Sequence, residues 1–103
     1  MKYQLVVQFA GPDELDLDAV VALEEELARH VPAGDEVDGH DIGVGEANIF
    51  IRTPDPVRTF AAVAPILRSR SPAASWAAAY RAERSDEYVR NWPAGSTDPF
   101  VVQ

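Results

Sequence analysis

Residues 39–51 constrain the fold more than any other stretch, because a glycine-studded polar segment runs directly into the most strand-like part of the chain. Such a segment favours a β-hairpin with residues 43–45 at its tip. The first arm, residues 35–42, has glycine inside it and poor alternation, so a bulge is expected there. The second arm, residues 46–53, alternates as a strand with one buried face does.

The chain before the hairpin predicts one strand and one helix. Residues 3–9 alternate between apolar and polar side chains, which is the pattern of a half-buried strand. Over residues 17–30, Val20, Leu23 and Leu27 recur at helical spacing, and the glutamates fall mostly on the other side. An amphipathic, acidic helix therefore leads into the hairpin.

The chain after the hairpin repeats this pattern. Asp55 followed by Pro56 is a helix-start signal, because aspartate caps a helix and proline suits its first position. Pro65 is expected to kink this second helix or cut it short, since proline lacks the backbone N–H. Residues 75–83 and 87–92 then predict two further strands.

These elements follow one another in the order βαββαββ. Because each helix joins two strands, the order predicts an α+β ferredoxin-like sandwich, with both helices on one face of an antiparallel sheet. A chain of 103 residues with 47% hydrophobic content is large enough for one core, so residues 1–103 are predicted to form a single domain. Residues 93–103 form its turn-rich C-terminal tail.

Charge is distributed unevenly along the chain. Residues 1–50 hold twelve acidic residues against two basic ones, whereas residues 51–103 hold five acidic residues against seven arginines. A net charge of −8 argues against nucleic acid as a partner, because phosphate binding requires a basic surface. A molecule charged in this way can pair with itself as a homodimer or offer its acidic side to a basic protein. A solvated acidic surface that only maintains solubility is the simpler alternative.

The composition excludes several kinds of chemistry. The chain has no cysteine, so disulfides, thiolate catalysis and thiolate metal sites are absent. No serine lies in a nucleophile motif, and we expect no cofactor. Apolar runs long enough for a membrane helix are missing, and the first residues have no signal-peptide pattern, so a cytoplasmic protein is expected.

His40, Asp41 and Glu46 are the candidates for catalysis, because they are the densest group of side chains able to transfer protons or bind a metal. Adjacent residues of a regular strand point to opposite faces, so only a bulge would bring His40 and Asp41 together. One histidine with scattered carboxylates is a weak metal signal, and we predict no metal site. The alternative is that these side chains hydrogen-bond the backbone of an irregular hairpin.

The sheet face not covered by helices is the predicted binding surface, because amides and aromatic side chains mix on recognition surfaces. Aromatic side chains near the C-terminal strands are candidates for the lining of a pocket. The predicted binding residues are Gln4, Gln8, Asn48, Phe50, Tyr80 and Trp92.

The run DGHDIGVGEANIFI at residues 38–51, together with Ala79-Tyr80-Arg81 and Trp92-Pro93, resembles a group of small bacterial proteins without an assigned function. The resemblance extends over most of the chain and implies a shared feature at the hairpin, with no residue roles to transfer. In topology the chain is also similar to ACT-type ligand-binding domains and to cofactor-independent dimeric monooxygenases, an analogy of fold alone.

Three functions are compatible with these patterns. The favoured one is a non-catalytic acidic binding protein, immunity-like or regulatory, that engages a protein partner. The second is a dimeric ACT-like module for a small ligand. The third is a cofactor-free or metal-dependent enzyme of the dimeric α+β barrel type that uses His40.

Overall fold

The computed structural model describes residues 2–10, 17–43, 46–70, 76–92, 100 and 102. The predicted tip of the hairpin beyond residue 43 and most of the predicted C-terminal tail lie outside these residues. The elements in chain order are β1 (Tyr3–Ala10), α1 (Leu17–His30), β2 (Glu36–Gly43), β3 (Glu46–Thr53), α2 (Pro56–Arg70), β4 (Trp76–Ala82) and β5 (Val89–Trp92).

The five strands form one antiparallel sheet in the order β2-β3-β1-β4-β5. The α+β class, the antiparallel sheet and the two helices agree with the sequence-based prediction, but the ferredoxin-like topology is wrong. That topology is a βαββαβ unit, whereas here a fifth strand pairs with β4 and becomes the sheet edge. A turn closed by the bond from Ser85 N to Ala82 O (2.9 Å) sends the chain back along β4.

One face of the sheet carries the hydrophobic core. Strand β1 is central, and its Leu5, Val7 and Phe9 lie opposite Ile51, Ile49 and Ala47 of β3 in register. Both helices pack against this face, which we call the helix face. The buried residues of the core cluster are Leu5, Val7, Phe9, Val20, Leu23, Leu27, Ala47, Ile49, Ile51, Val63, Leu67, Trp76 and Ala78.

Two edge strands depart from regular pairing. In β2 the register shifts between Val37 and Gly39, which leaves Asp38 as the extra residue of a bulge. Gly39 has a φ of 117°, a conformation that side chains disfavour and glycine accepts. The bulge predicted for the first arm of the hairpin is therefore confirmed. In β5 a second shift leaves Asn91 without a direct partner between Arg90 and Trp92.

The start of α2 agrees with the prediction from the sequence, whereas the position of its C-terminal end does not. The Asp55 side chain accepts a hydrogen bond from the Arg58 backbone N–H at 3.1 Å, as expected of an N-cap. The helix nevertheless continues through Pro65 to Arg70, so the prediction that proline would cut it short is wrong. Pro65 and Ala61 are both exposed, so water can satisfy the Ala61 carbonyl that loses its helical partner.

Two valines in α2 provide a matched test of the core. Val63 is fully buried, whereas Val57 is 61% exposed. We expect Val63→Ala to lower the free energy of unfolding by about 1.5–3 kcal/mol, because two buried methyl groups are lost and a cavity remains. Val57→Ala should change it by less than about 0.5 kcal/mol. Urea denaturation measures both, and equal effects would contradict the placement of α2.

Candidate functional site

The strand registers divide the predicted site residues between the two faces of the sheet. Gln8 lies opposite Asn48, Gln4 opposite Arg52, and Phe50 opposite Val6. None of these residues belongs to the core cluster, so they occupy the face opposite the helices, which we call the outer face. The four predicted binding residues of β1 and β3 therefore do share one surface.

Tyr80 and Trp92 do not belong to that surface. Tyr80 pairs with Leu5 and Trp92 with Ala78, both residues of the core, so the two aromatic side chains lie on the helix face. The Trp92 ring stacks on Trp76 with 5.3 Å between centroids and 11° between planes. Their geometry is that of side chains packed at the border of the core.

The bulge at Asn91 explains the position of Trp92. Regular alternation would place Trp92 on the same face as Arg90, which pairs with Ala79. The extra residue turns Trp92 to the helix face instead. There the Arg68 guanidinium lies 5.3 Å from the ring centroid, a cation–π contact that sequence analysis missed because α2 and β5 are distant in the chain.

On the outer face, Glu46, Asn48 and Gln8 form one hydrogen-bonded cluster. The Asn48 amide donates to Glu46 Oε2 at 2.9 Å, and the Gln8 amide donates to Asn48 Oδ1 at 3.1 Å. Gln8 also lies 3.4 Å from Glu46 Oε2. Asn48 is fully buried, and both ends of its amide are engaged. The cluster joins β1 to β3 and leaves Asn48 without surface to offer a ligand.

Gln4, another predicted residue of the outer face, is also engaged. Gln4 accepts a hydrogen bond from Arg81 Nε at 3.1 Å, across the pairing of β1 with β4. Near β5, Phe100 contacts Tyr88 with 5.0 Å between ring centroids, and the Arg90 guanidinium lies 5.4 Å from the Phe100 ring. Residue 100 therefore packs beside β5.

His40 lies on the helix face and contacts α1. Its Nδ1 is 3.2 Å and 3.3 Å from the two carboxylate oxygens of Glu24. Asp41 lies opposite Asn48, on the outer face, and Glu46 is bonded to Asn48 there as well. The three candidates for catalysis are thus on two faces of the sheet, and neither carboxylate reaches His40.

The bulge at Asp38 again decides this placement. Val37 pairs with the core residue Ile51, so regular alternation would send His40 to the outer face. The extra residue reverses the alternation and brings His40 to Glu24. Within the described ranges, no three histidine, aspartate or glutamate side chains come together as a metal site would require.

A buried polar network that the sequence did not indicate joins β3 to α2. Thr53 and Thr59 are fully buried, and their hydroxyl oxygens are 2.8 Å apart. Thr59 also contacts the Asp35 carboxylate just before β2, and the Asp55 N–H donates to the Thr53 hydroxyl at 3.0 Å. Polar side chains from three segments of the chain satisfy one another's hydrogen bonds in this network. The network therefore has a structural role.

The topology places the acidic residues of α1 and β2 near the same edge of the sheet. Helix α1 packs beside β2, as the contact between Glu24 and His40 shows. We call the acidic side chains of these two elements the acidic surface; they are Asp18, Glu24, Glu25, Glu26, Glu36, Asp38 and Asp41. Described arginines toward the other edge of the sheet, on α2, β4, β5 and the turn between these strands, are Arg68, Arg81, Arg84 and Arg90.

Two described arginines lie in or next to the acidic surface, Arg29 in the last turn of α1 and Arg52 on β3. Arg52 of β3 pairs with Glu36 in register, and its Nε is 2.9 Å from Glu83 Oε2. The hydrogen bond to Glu83 and the charge of that carboxylate raise the pKa of the Arg52 guanidinium, and the charges of Asp38 and Glu36 add to the effect. Arg52 therefore stays charged, and its charge partly offsets the carboxylates of Glu36 and Asp38.

A surface cavity of about 390 Å³ lies at the start of β1 and the end of β4. The described residues that line it are Lys2, Ala82, Glu83 and Arg84. None of the predicted site residues is among them. The cavity is thus separate from the aromatic side chains that are candidates for the lining of a pocket, and that pocket stays a prediction.

No family model, curated protein or solved structure matches the chain. The resemblance to small bacterial proteins thus stays a prediction. Neither of the two described helices has the length and apolar character that crossing a membrane requires.

The amide cluster provides a test of its structural role. We expect Asn48→Ala to lower the free energy of unfolding by about 1–3 kcal/mol, because Gln8 and Glu46 each lose a buried partner. A double-mutant cycle with Gln8→Ala, measured by urea denaturation, should show coupling between the two substitutions. Strict additivity would contradict the hydrogen bond between the two amides.

The pair of His40 and Glu24 should contribute little to stability. The two side chains are 28% and 19% exposed, so solvent screens their interaction. We expect His40→Ala to lower the free energy of unfolding by less than about 1 kcal/mol. Glu24→Ala in the same background should then add almost nothing. A loss as large as that of Asn48→Ala would show that His40 holds the fold through contacts other than Glu24.

Proposed function

We propose that this protein is a non-catalytic binding protein whose acidic surface engages a basic surface of a protein partner. The observation that carries the proposal is the placement of α1 and β2 side by side at one edge of the sheet, with Arg68, Arg81, Arg84 and Arg90 toward the other edge. Carboxylates gathered on one side attract a basic partner over a longer range than the same charges spread evenly. An immunity-like inhibitor or a regulatory protein in the cytoplasm fits this description.

The contacts that the polar side chains make support a binding function over a catalytic one. His40 contacts Glu24, Glu46 accepts hydrogen bonds from two amides, and Asp41 lies on the face opposite His40. A general base must reach a substrate proton within hydrogen-bond distance, often with a second group that orients it. Among the described residues His40 and Glu24 form such a pair, but neither lines the cavity beside Lys2 and Arg84.

The negative sign of the charge also limits the kinds of partner that this surface can bind. A nucleic acid would be repelled, since it offers phosphates to carboxylates. Two copies of the chain that met symmetrically through α1 and β2 would place carboxylates against carboxylates, which opposes a homodimer of that kind. A protein surface rich in lysine or arginine is the complementary choice.

A pair of charge-reversed variants tests this function. Glu36→Lys with Asp41→Lys alters the acidic surface, and Asp86→Lys with Glu87→Lys changes the net charge equally in the exposed turn before β5. In pull-downs from the native host, wild type and the turn variant should retain the same protein. The acidic-surface variant should bind it at least about tenfold more weakly.

Salt provides the control for this experiment. Attraction between exposed charges is screened at high ionic strength, so retention by the wild type should fall steeply as salt is added. Equal retention by both variants would contradict the proposal. An eluate without any specific protein at low salt would contradict it as well.

A further inference from the structure

The β2 edge of the sheet has unpaired backbone groups. In the order β2-β3-β1-β4-β5, β2 pairs with β3 alone, and no described residue hydrogen-bonds to its other side. β2 has eight residues, whereas β5 at the opposite edge has four. A long edge strand presents a row of N–H and C=O groups on which another strand can pair.

Natural edge strands are often blocked by a proline, a bulge or a charge directed inward. β2 contains no proline, and its bulge lies near its start, at Asp38. Residues 39–43 stay in continuous register with residues 46–50 of β3. Gly39 belongs to the bulge, with its φ of 117°, and residues 40–43 are regular. Four regular residues lie within the usual range of strand lengths, so this part of the edge is long enough to pair.

The side chains of this stretch determine what kind of strand fits. Asp41 is exposed on the outer face, whereas Ile42, 42% exposed, lies on the helix face opposite Ala47. An added strand would place alternate side chains beside Asp41 and beside Ile42. A basic residue suits the first position and an apolar residue the second. A second copy of β2 would instead bring carboxylates close together.

We propose that the partner adds an extended segment, in which basic and apolar residues alternate, as a sixth strand along residues 40–43 of β2. This mode of binding rests on the function proposed above, and it names how the basic partner is held. Backbone hydrogen bonds supply the affinity in such complexes, and the alternate side chains supply the specificity. Because every neighbouring pair in the sheet is antiparallel, we expect the added strand to be antiparallel too.

The probe for this mode is a short, end-blocked peptide in which lysine and valine alternate. Amide hydrogen exchange of the intact protein is measured by NMR with and without the peptide at low salt. In the free protein, alternate N–H groups of residues 40–43 face solvent and exchange quickly. The bound peptide should slow those amides at least about tenfold, while the exposed amides of the turn at residues 86–88 should not change.

Two N-methylated versions of the peptide provide the matched control. One version carries methyl groups on the backbone nitrogens of its valines, and the other carries them on the backbone nitrogens of its lysines. The two versions therefore have the same charge. In an extended strand only one of these sets of amides faces β2. One version should bind like the unmodified peptide, and the other should bind at least about tenfold more weakly in a fluorescence titration. Asp41→Lys should weaken binding of the unmodified peptide, whereas Glu87→Lys should leave its affinity unchanged.

The outcomes separate this inference from the function on which it rests. In one outcome the peptide binds, both methylated versions bind equally well, and hydrogen exchange of the β2 amides is not slowed. The acidic surface then attracts basic peptides without strand addition, and the inference is wrong. If the peptide does not bind at all, the inference also fails. The pull-down with charge-reversed variants then decides by itself whether the acidic surface engages a protein.

Discussion

The pairing of β1 with β3 and β4 is the constraint on which the rest of the structure depends. β1 is the central strand, and its Leu5, Val7 and Phe9 must face the helices for a core to form. A slip of one residue would exchange them with Gln4, Val6 and Gln8 and would expose the apolar set. Because this register is fixed, the faces of β3 and β4 are fixed with it. Only the two edge strands keep the freedom to depart from it.

Both edge strands contain a bulge, and each bulge changes the sheet face on which the following side chains lie. The extra residue Asp38 sends His40 to Glu24 and Asp41 to the outer face. The extra residue Asn91 sends Trp92 to Trp76 and Arg68. In each case the side chain that looked available for chemistry gains a neighbour from a helix. The two bulges thus determine which side chains lie next to His40 and Trp92.

The predictable parts of the fold were those whose signal is local. Alternation in residues 3–9 and 46–53, the cap at Asp55 and the irregular first arm of the hairpin were all correct, because each depends on neighbouring residues alone. The faces of His40 and Trp92 were not predictable. Each depends on one inserted residue and on a partner elsewhere in the chain; Glu24, for example, precedes His40 by sixteen positions.

The two wrong predictions have the same origin. The effect of Pro65 depends on whether the Ala61 carbonyl reaches water, and exposure is a property of the folded chain. The ferredoxin-like topology failed because the sequence predicts a strand at residues 87–92 without showing which strand of the sheet it pairs with. The turn at Ser85 and the pairing of Ala78, Ala79 and Tyr80 with β5 settle that choice, and both are contacts of the folded state.

The order of strands also changes the meaning of the charge distribution. An acidic first half and a weakly basic second half would mix in many folds, but here β2 and β5 are at opposite edges of one sheet. The carboxylates of Glu36, Asp38 and Asp41 therefore lie along the edge with the unpaired backbone. Charged side chains on an edge oppose pairing between identical chains. In the proposed mode of binding, the same charges would also select a basic strand, so one arrangement of residues would serve both effects.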